Sequence, residues 1–174
     1  MVRASKISTW FLWFVLYSLL GWIYETALCS IEMGQWDNRG FLYGPICPIY
    51  GAVATLALAL LYKRIKNMVL LFLTGVVLTT GVEYVTSVAL ERAFGLRWWD
   101  YSHFRFNLEG RISLLGAVVF GILIVVLIRF IHPRIEALTN RLGDKPKIIL
   151  ASTLAGIIVL DFCITVIHLL AARY

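Results

Sequence analysis

Residues 112–132 read ISLLGAVVFGILIVVLIRFIH, an apolar run whose single charged side chain is Arg129. An uninterrupted apolar segment of roughly 20 residues is typical of a helix that crosses the hydrocarbon core of a bilayer. Four further apolar runs lie near 8–28, 45–62, 68–90 and 148–171. The sequence therefore predicts an all-α, polytopic membrane protein of about five transmembrane helices.

The overall composition supports the same class. Of the 174 residues, 60% are hydrophobic, and the mean hydropathy is +0.83. Soluble domains are about half apolar, so this chain has more apolar surface than a soluble core of its size would bury. No linker or low-complexity tract divides residues 1–174, which predicts a single transmembrane domain.

The formal charge of +6 would raise the question of nucleic acid in a soluble protein. Here the basic residues fall between the predicted spans, so membrane lipids are the expected surroundings and no nucleic-acid partner is predicted. Ten of the 16 basic residues lie on the side of the N-terminus, including those in the connections after spans 2 and 4. By the positive-inside rule, we expect the N-terminus inside and the C-terminus outside a bacterial cytoplasmic membrane.

A weak internal similarity links the two halves of the chain. Residues 21–26 read GWIYET and residues 81–86 read GVEYVT, and the spans that follow contain GAV at 51–53 and at 116–118. Because spans 1 and 3 have the same predicted orientation, this pattern is consistent with a parallel repeat of spans 1–2 and 3–4. Chance is the alternative, since glycine, alanine and valine are common in any span.

Three acidic residues lie inside predicted spans, in the outer half of the bilayer: Glu25, Glu83 and Asp161. Carboxylates at that depth are costly unless they face a partner, water or the interior of a bundle, which makes them functional candidates. One interpretation pairs Glu25 with Arg39 and Glu83 with Arg111 as structural ion pairs. The other interpretation places these side chains around an outer polar site.

Two polar, aromatic segments flank these acids. Residues 38–45 read NRGFLYGP, and residues 98–102 read WWDYS. Pro45 and Pro48 predict irregular backbone at the start of span 2, which membranes tolerate only where it is buried in protein or lines a cavity. The aromatic residues around Asp100 fit either an interfacial belt or a folded loop that caps a polar pocket. The candidate ligand- or ion-binding residues are Glu25, Asn38, Arg39, Glu83, Glu91, Trp98, Trp99, Asp100, Asn107 and Arg111.

Motifs for common chemistry are missing from the sequence. It contains no G-x-x-x-x-G-K-[ST], H-E-x-x-H or G-x-S-x-G string, so no enzyme class is indicated and a non-enzymatic role is favoured. No cofactor is evident, although Glu83, Glu91 and Asp100 could supply oxygen ligands to a divalent cation. A disulfide between Cys29 and Cys47 is conceivable, because both lie on the predicted outer side.

At these residues the sequence resembles the CmpB-like family of small bacterial membrane proteins, labelled ABC-transporter type IV. The resemblance covers about residues 20–120 and is carried by Gly21-Trp22 with Glu25, by NRGFLYGP with Cys47-Pro48-Ile49-Tyr50-Gly51, by Glu83, Thr86 and Glu91, by WWDYS, and by Phe106-Asn107 with Gly110-Arg111-Ile112. It implies a permease-like protein that works with a separate ATPase.

Three functional hypotheses follow. The first is a transport component with a polar site in the outer half of the bilayer, acting as a homo-oligomer or with a separate membrane or ATPase partner. The second is a membrane enzyme that acts on a lipid or polyprenyl substrate through paired carboxylates and arginines. The third is an accessory or assembly subunit of a membrane complex.

Overall fold

The computed structural model describes residues 2–36 and 40–171, apart from the side chain of residue 32. These residues form six α-helices: α1 (Val2–Met33), α2 (Pro48–Leu61), α3 (Met68–Phe94), α4 (Leu114–Val126), α5 (His132–Asn140) and α6 (Asp144–Ala171). Two strands, β1 (Asn107–Leu108) and β2 (Ile112–Ser113), pair as an antiparallel hairpin between α3 and α4. The predicted all-α class is confirmed, since the chain is 77% helical and almost without sheet.

Within the described residues, four helical segments are long and apolar enough to cross a membrane, namely Val2–Ile31, Met68–Phe94, Leu114–Asn140 and Asp144–Ala171. Helix α2 corresponds to the remaining predicted span, near 45–62, but it has only 14 residues. At 1.5 Å per residue it is about 21 Å long, which is shorter than a hydrocarbon core of ~30 Å. It is short because residues 40–47 are irregular, as the two prolines predict, and the helix begins at Pro48.

The ends of α3 and α4 follow from their local sequence. The side chain of Asn67 accepts a hydrogen bond from the N–H of Leu70 at 3.0 Å and caps the start of α3. Gly95, at φ 68°, ends the same helix in the left-handed conformation that glycine adopts without a Cβ penalty. Ser113 caps α4 by accepting from the N–H of Gly116 at 3.0 Å.

The helix that begins with α4 continues further than the sequence predicts. A π-helical turn, Leu127–Ile131, joins α4 to α5, so helical structure extends to Asn140 instead of ending at residue 132. Pro133 lacks an N–H, and the wider turn just before it lets the chain pass this residue without a break. Arg129, in the turn, donates to the carbonyls of Ile65 and Lys66 at 2.7 and 2.6 Å.

The chain divides into two compact units, Met1–Thr55 with Ala137–Tyr174 (unit 1) and Leu56–Glu136 (unit 2). In unit 1, α1 packs against α6. There the Ser5 hydroxyl donates to Asp144 Oδ1 at 2.6 Å, and the Trp13 indole donates to the Thr139 hydroxyl at 3.1 Å. The two units are described separately, so the single domain predicted from the sequence stays a prediction.

Unit 2 is a hairpin of α3 and α4. The buried face of α3 repeats every four residues, as one ridge of a helix does: Leu71, Gly75, Thr79, Glu83 and Ser87. A Cβ on Gly75 would lie 3.0 Å from a methyl carbon of Ile124, so glycine lets the two helices approach closely at this point. The same ridge leads to Glu91 and to the loop that follows α3.

Candidate functional site

Arg111 lies at the centre of a charged cluster at the end of α3. Its Nη1 donates to the Ser87 hydroxyl at 2.9 Å, and its Nη2 donates to Glu91 Oε2. Its Nε lies 3.5 Å from Glu109 Oε2, and only 11% of the side chain is exposed. Arg111 therefore ties the loop after α3, residues 95–113 (the second loop), back to the helix through two oxygen atoms, those of Ser87 and Glu91, and its contact with Glu109 lies within the loop.

Glu91 is shared between two guanidinium groups. Arg97 donates from Nε to Glu91 Oε1 at 3.2 Å and from Nη1 to the Glu109 carbonyl at 3.3 Å. Ser87 and Glu91 are four residues apart on α3, so they lie on one face and reach the same arginine. The carboxylate of Glu91 raises the pKa of Arg111, mainly through their hydrogen bond, and the guanidinium stays charged.

The turn between β1 and β2 places the third oxygen of this cluster. Three residues, Glu109 to Arg111, connect the paired Leu108 and Ile112, and Glu109 and Gly110 have φ values of 54° and 67°, in the left-handed region. Glutamate is unusual at such a position, and an observed backbone outlier of this kind points to a function for the residue. Glu109 Oε2 also accepts from the Tyr84 hydroxyl at 3.0 Å.

Residues 98–102 fold against the hairpin and the end of α3. The Trp99 indole donates to the carbonyl of Arg111 at 3.0 Å, and the ring of Trp98 packs edge-on against Phe94 at 5.7 Å. Asp100 Oδ1 accepts from the N–H and the hydroxyl of Ser102 at 2.9 and 2.5 Å. These bonds lower the pKa of Asp100 below its usual range, with the hydroxyl contributing most. The two tryptophans thus hold the loop that carries Arg111.

Next to this cluster is a pocket of about 390 Å³. Its lining is Tyr84, Val88, Glu91, Arg92, Glu109 and Arg111. Two of these residues, Glu91 and Arg111, are candidates from the sequence. The sequence did not select the other four, Tyr84, Val88, Arg92 and Glu109.

The remaining candidates of unit 2 lie outside the lining. Asn107 stabilises the hairpin turn, because its Oδ1 accepts from the N–H of Gly110 at 2.9 Å and its Nδ2 donates to the Phe104 carbonyl at 2.7 Å. Glu83 lies two turns before Glu91 on the buried face of α3 and is 7% exposed. Arg111, which the sequence paired with Glu83, forms its ion pairs with Glu91 and Glu109 instead.

The acidic candidates are not gathered into a preformed group of metal ligands in the described part of the chain. Among the described residues, no group of three or more histidine, cysteine, aspartate or glutamate side chains is placed to hold a metal ion. The structure does not bring Glu83, Glu91 and Asp100 together, and a divalent-cation site at these residues stays a prediction. Glu91 is held by arginines and Asp100 by Ser102, so neither carboxylate is aimed at a common point.

Unit 1 contains the other candidates. Glu25 accepts a hydrogen bond from the hydroxyl of Tyr50, while Asn38 and Arg39 lie outside the described residues, so the predicted Glu25–Arg39 pair stays a prediction. Cys29 and Cys47 are thiols rather than a disulfide.

The intramembrane acid with the clearest structural role is Asp161, which the sequence identified as an acid inside a span but did not include among the candidate binding residues. The N–H groups of Tyr43 and Gly44 donate to its two carboxylate oxygens at 3.1 and 2.9 Å. The hydroxyl of Tyr43 also forms a hydrogen bond of 2.8 Å with Nδ1 of His168, two turns further along α6. Asp161 therefore anchors residues 40–47 (the first loop).

Comparison with known proteins identifies a family for this chain. Neither the curated proteins nor the solved structures contain a significant match to this chain. The model of the family described as "Putative ABC-transporter type IV" matches residues 12–166. The match extends beyond the 20–120 region of visible resemblance and includes most of α6 with Asp161. The chain therefore belongs to this ABC-transporter type IV family.

Proposed function

We propose that this protein is the membrane component of a transport system and that the pocket beside Arg111 is its binding site. The observation that carries the proposal is the lining of the pocket, in which two arginines and two glutamates meet at the end of a long apolar helix. Charged side chains within membrane spans are rare, and they mark substrate or ion pathways in many membrane proteins. The membership of the family supports the same role.

The energy source for such a system lies in a separate protein. The sequence has no P-loop, so ATP binding and hydrolysis of the ABC type require another subunit. We place that subunit on the inner side of a bacterial cytoplasmic membrane, next to the basic connections after α2 and α5. The complex contains two copies of this chain or an additional membrane partner, because four or five spans are few for a complete pathway.

Purification from native membranes in a mild detergent, followed by native mass spectrometry and an ATPase assay, tests this proposal. We expect a stable complex that hydrolyses ATP and persists in a Glu91→Gln variant. In liposomes, ATP-driven uptake by the same complex should fall in that variant and not in Arg105→Gln, an exposed arginine outside the pocket.

The alternatives give different results in the same preparation. A partner without ATPase activity indicates an accessory or assembly subunit. Turnover of a lipid by the purified chain alone indicates an enzyme. Either result contradicts the transport proposal.

A further inference from the structure

The charged groups that line the pocket beside Arg111 differ in how many of their polar atoms already bind other residues of the protein. Arg111 is bound by Ser87, Glu91 and Glu109, and Glu91 is bound on both oxygens by Arg111 and Arg97. Among the described residues Nε of Arg111 has no hydrogen-bond partner, but this atom is buried, and both oxygens of Glu91 are engaged. These two residues therefore shape the wall of the pocket and are less accessible to a ligand than the other charged groups of the lining.

Two lining groups remain available. Arg92 is exposed and has no hydrogen-bond or ion-pair partner among the described residues. The side chain of Glu109 is 58% exposed. Its Oε2 accepts from Tyr84, whereas its Oε1 accepts from none of the described residues. A ligand in this pocket therefore meets one unoccupied guanidinium and one unoccupied carboxylate oxygen.

The charge balance of the lining limits the class of ligand. Arg92 and Arg111 contribute two positive charges, and Glu91 and Glu109 contribute two negative charges, so the lining is neutral. A net anion or a net cation would leave one of these groups facing a like charge, and transfer of an uncompensated charge out of water is costly. A molecule with both signs can satisfy both available groups at once.

We propose that the pocket binds a zwitterion, with an ammonium group on Glu109 Oε1 and a phosphate or carboxylate on Arg92. Guanidinium groups bind both of these anions in a two-point, planar geometry. A volume of about 390 Å³ is near the lower end of the range for small-molecule sites, which suits a head group or a small free molecule. The inference rests on the proposed function only in taking this pocket as the binding site.

Calorimetric titration of the delipidated, detergent-solubilised protein with three probes tests the proposal. O-phosphoethanolamine should bind at least about tenfold more tightly than inorganic phosphate or ethanolamine, because only this probe contacts both groups. Glu109→Gln should abolish that preference and make phosphate the equal of O-phosphoethanolamine. In Arg92→Gln, ethanolamine and O-phosphoethanolamine should bind with equal affinity. Arg105→Gln should behave as wild type.

The proposal is overturned if the wild type binds the three probes equally well or binds none of them. It is also overturned if both variants keep the wild-type circular dichroism spectrum but lose affinity for all three probes to the same extent. Arg92 lies on an exposed helix face, so Arg92→Gln stays informative if Glu109→Gln fails to fold.

The source of the zwitterion is distinguished in lipid nanodiscs. If the protein retains phosphatidylethanolamine and O-phosphoethanolamine releases it, the site binds a lipid head group. If the protein retains no phosphatidylethanolamine, the site binds a free solute. These are equilibrium measurements on the chain alone. The zwitterion proposal can therefore be overturned even if a transport complex is found, and it can be supported even if no transport complex is found.

Discussion

The two loops that connect the paired helices are held by different means. In the first loop, residues 40–47 of unit 1, the N–H groups of Tyr43 and Gly44 donate to Asp161, which is 118 and 117 residues away along the chain. In the second loop, residues 95–113 of unit 2, Arg111 binds Glu91 at a separation of 20 residues, and a hairpin closes the loop on itself. The first loop depends on a distant helix, whereas the second carries its own anchors.

The glycines of the proposed repeat differ in the same way. A Cβ on Gly51 would collide with the hydroxyl of Ser18 and come within 2.5 Å of the Phe14 carbonyl, so α2 lies directly on α1. At the corresponding Gly116, a Cβ would meet only the Ser113 hydroxyl, at 3.0 Å. Similar strings in the two halves therefore do not have similar packing, and the parallel repeat stays a prediction.

The largest effect is expected at the anchor of the first loop. Asp161→Ala removes two charge-assisted hydrogen bonds and should lower the free energy of unfolding by about 2–4 kcal/mol. Cys47, which is 8% exposed, should become reactive to maleimide in a Cys29→Ser/Cys163→Ser background. Asp161→Asn keeps one acceptor and should have an intermediate effect, and Thr153→Ala on the exposed face of α6 is the control. An unreactive Cys47 in Asp161→Ala would show that the loop is held by other contacts.

A matched pair of glycine substitutions sharpens the comparison of the two halves. Gly51→Ala should destabilise the protein by about 1–3 kcal/mol, because the added methyl group forces α2 away from α1. Gly116→Ala should be close to neutral, since the higher helix propensity of alanine offsets a contact with a movable hydroxyl. Thermal unfolding in detergent measures both variants. Equal losses at the two positions would mean that the halves pack alike.

The anchors of the second loop should show their effect locally. Arg111→Lys keeps the charge but cannot reach Ser87, Glu91 and Glu109 together. We expect hydrogen exchange at the amides of Tyr101 and Leu114, which bond to the Gly110 and Phe106 carbonyls at 2.7 and 2.9 Å, to become about tenfold faster. Exchange in the first loop should not change, and Arg105→Lys should behave as wild type. Global acceleration would contradict the view that this loop is self-contained.

The smallest effect is a pH dependence of the second loop. The pKa of Asp100 is lowered by Ser102, so its ionised form stabilises the folded loop. That contribution is complete above the usual carboxyl range and is lost as the pH falls through the lowered pKa, below about pH 4. Exchange of the Tyr101 amide should therefore rise at acidic pH in the wild type, with a smaller rise in Asp100→Asn. Parallel pH profiles would exclude Asp100 as the titrating group.

Much of this protein follows from the sequence alone. The apolar runs determine that the chain is all-α and membrane-embedded, because a helix is the way a single segment satisfies its backbone in lipid. Asn67, Gly95 and Ser113 determine the ends of α3 and α4, and Pro45 and Pro48 determine the irregular start of the second segment, since these effects act within a few residues. The sequence also selected Glu91 and Arg111, because charges at the end of a span are conspicuous.

Only the tertiary structure decided which charges meet. Glu109 reaches the pocket through the turn of the hairpin and Arg92 through the face of α3, and neither residue is unusual in the sequence. The sequence did not predict the role of Asp161, because its partners are backbone N–H groups more than 100 residues away. Every residue type except proline has such a group, so no sequence pattern indicates these bonds. The structure does not bring the predicted cation ligands together for a related reason. Glu91 is bound by arginines and Asp100 by Ser102, and the sequence alone does not show that these carboxylates have such partners.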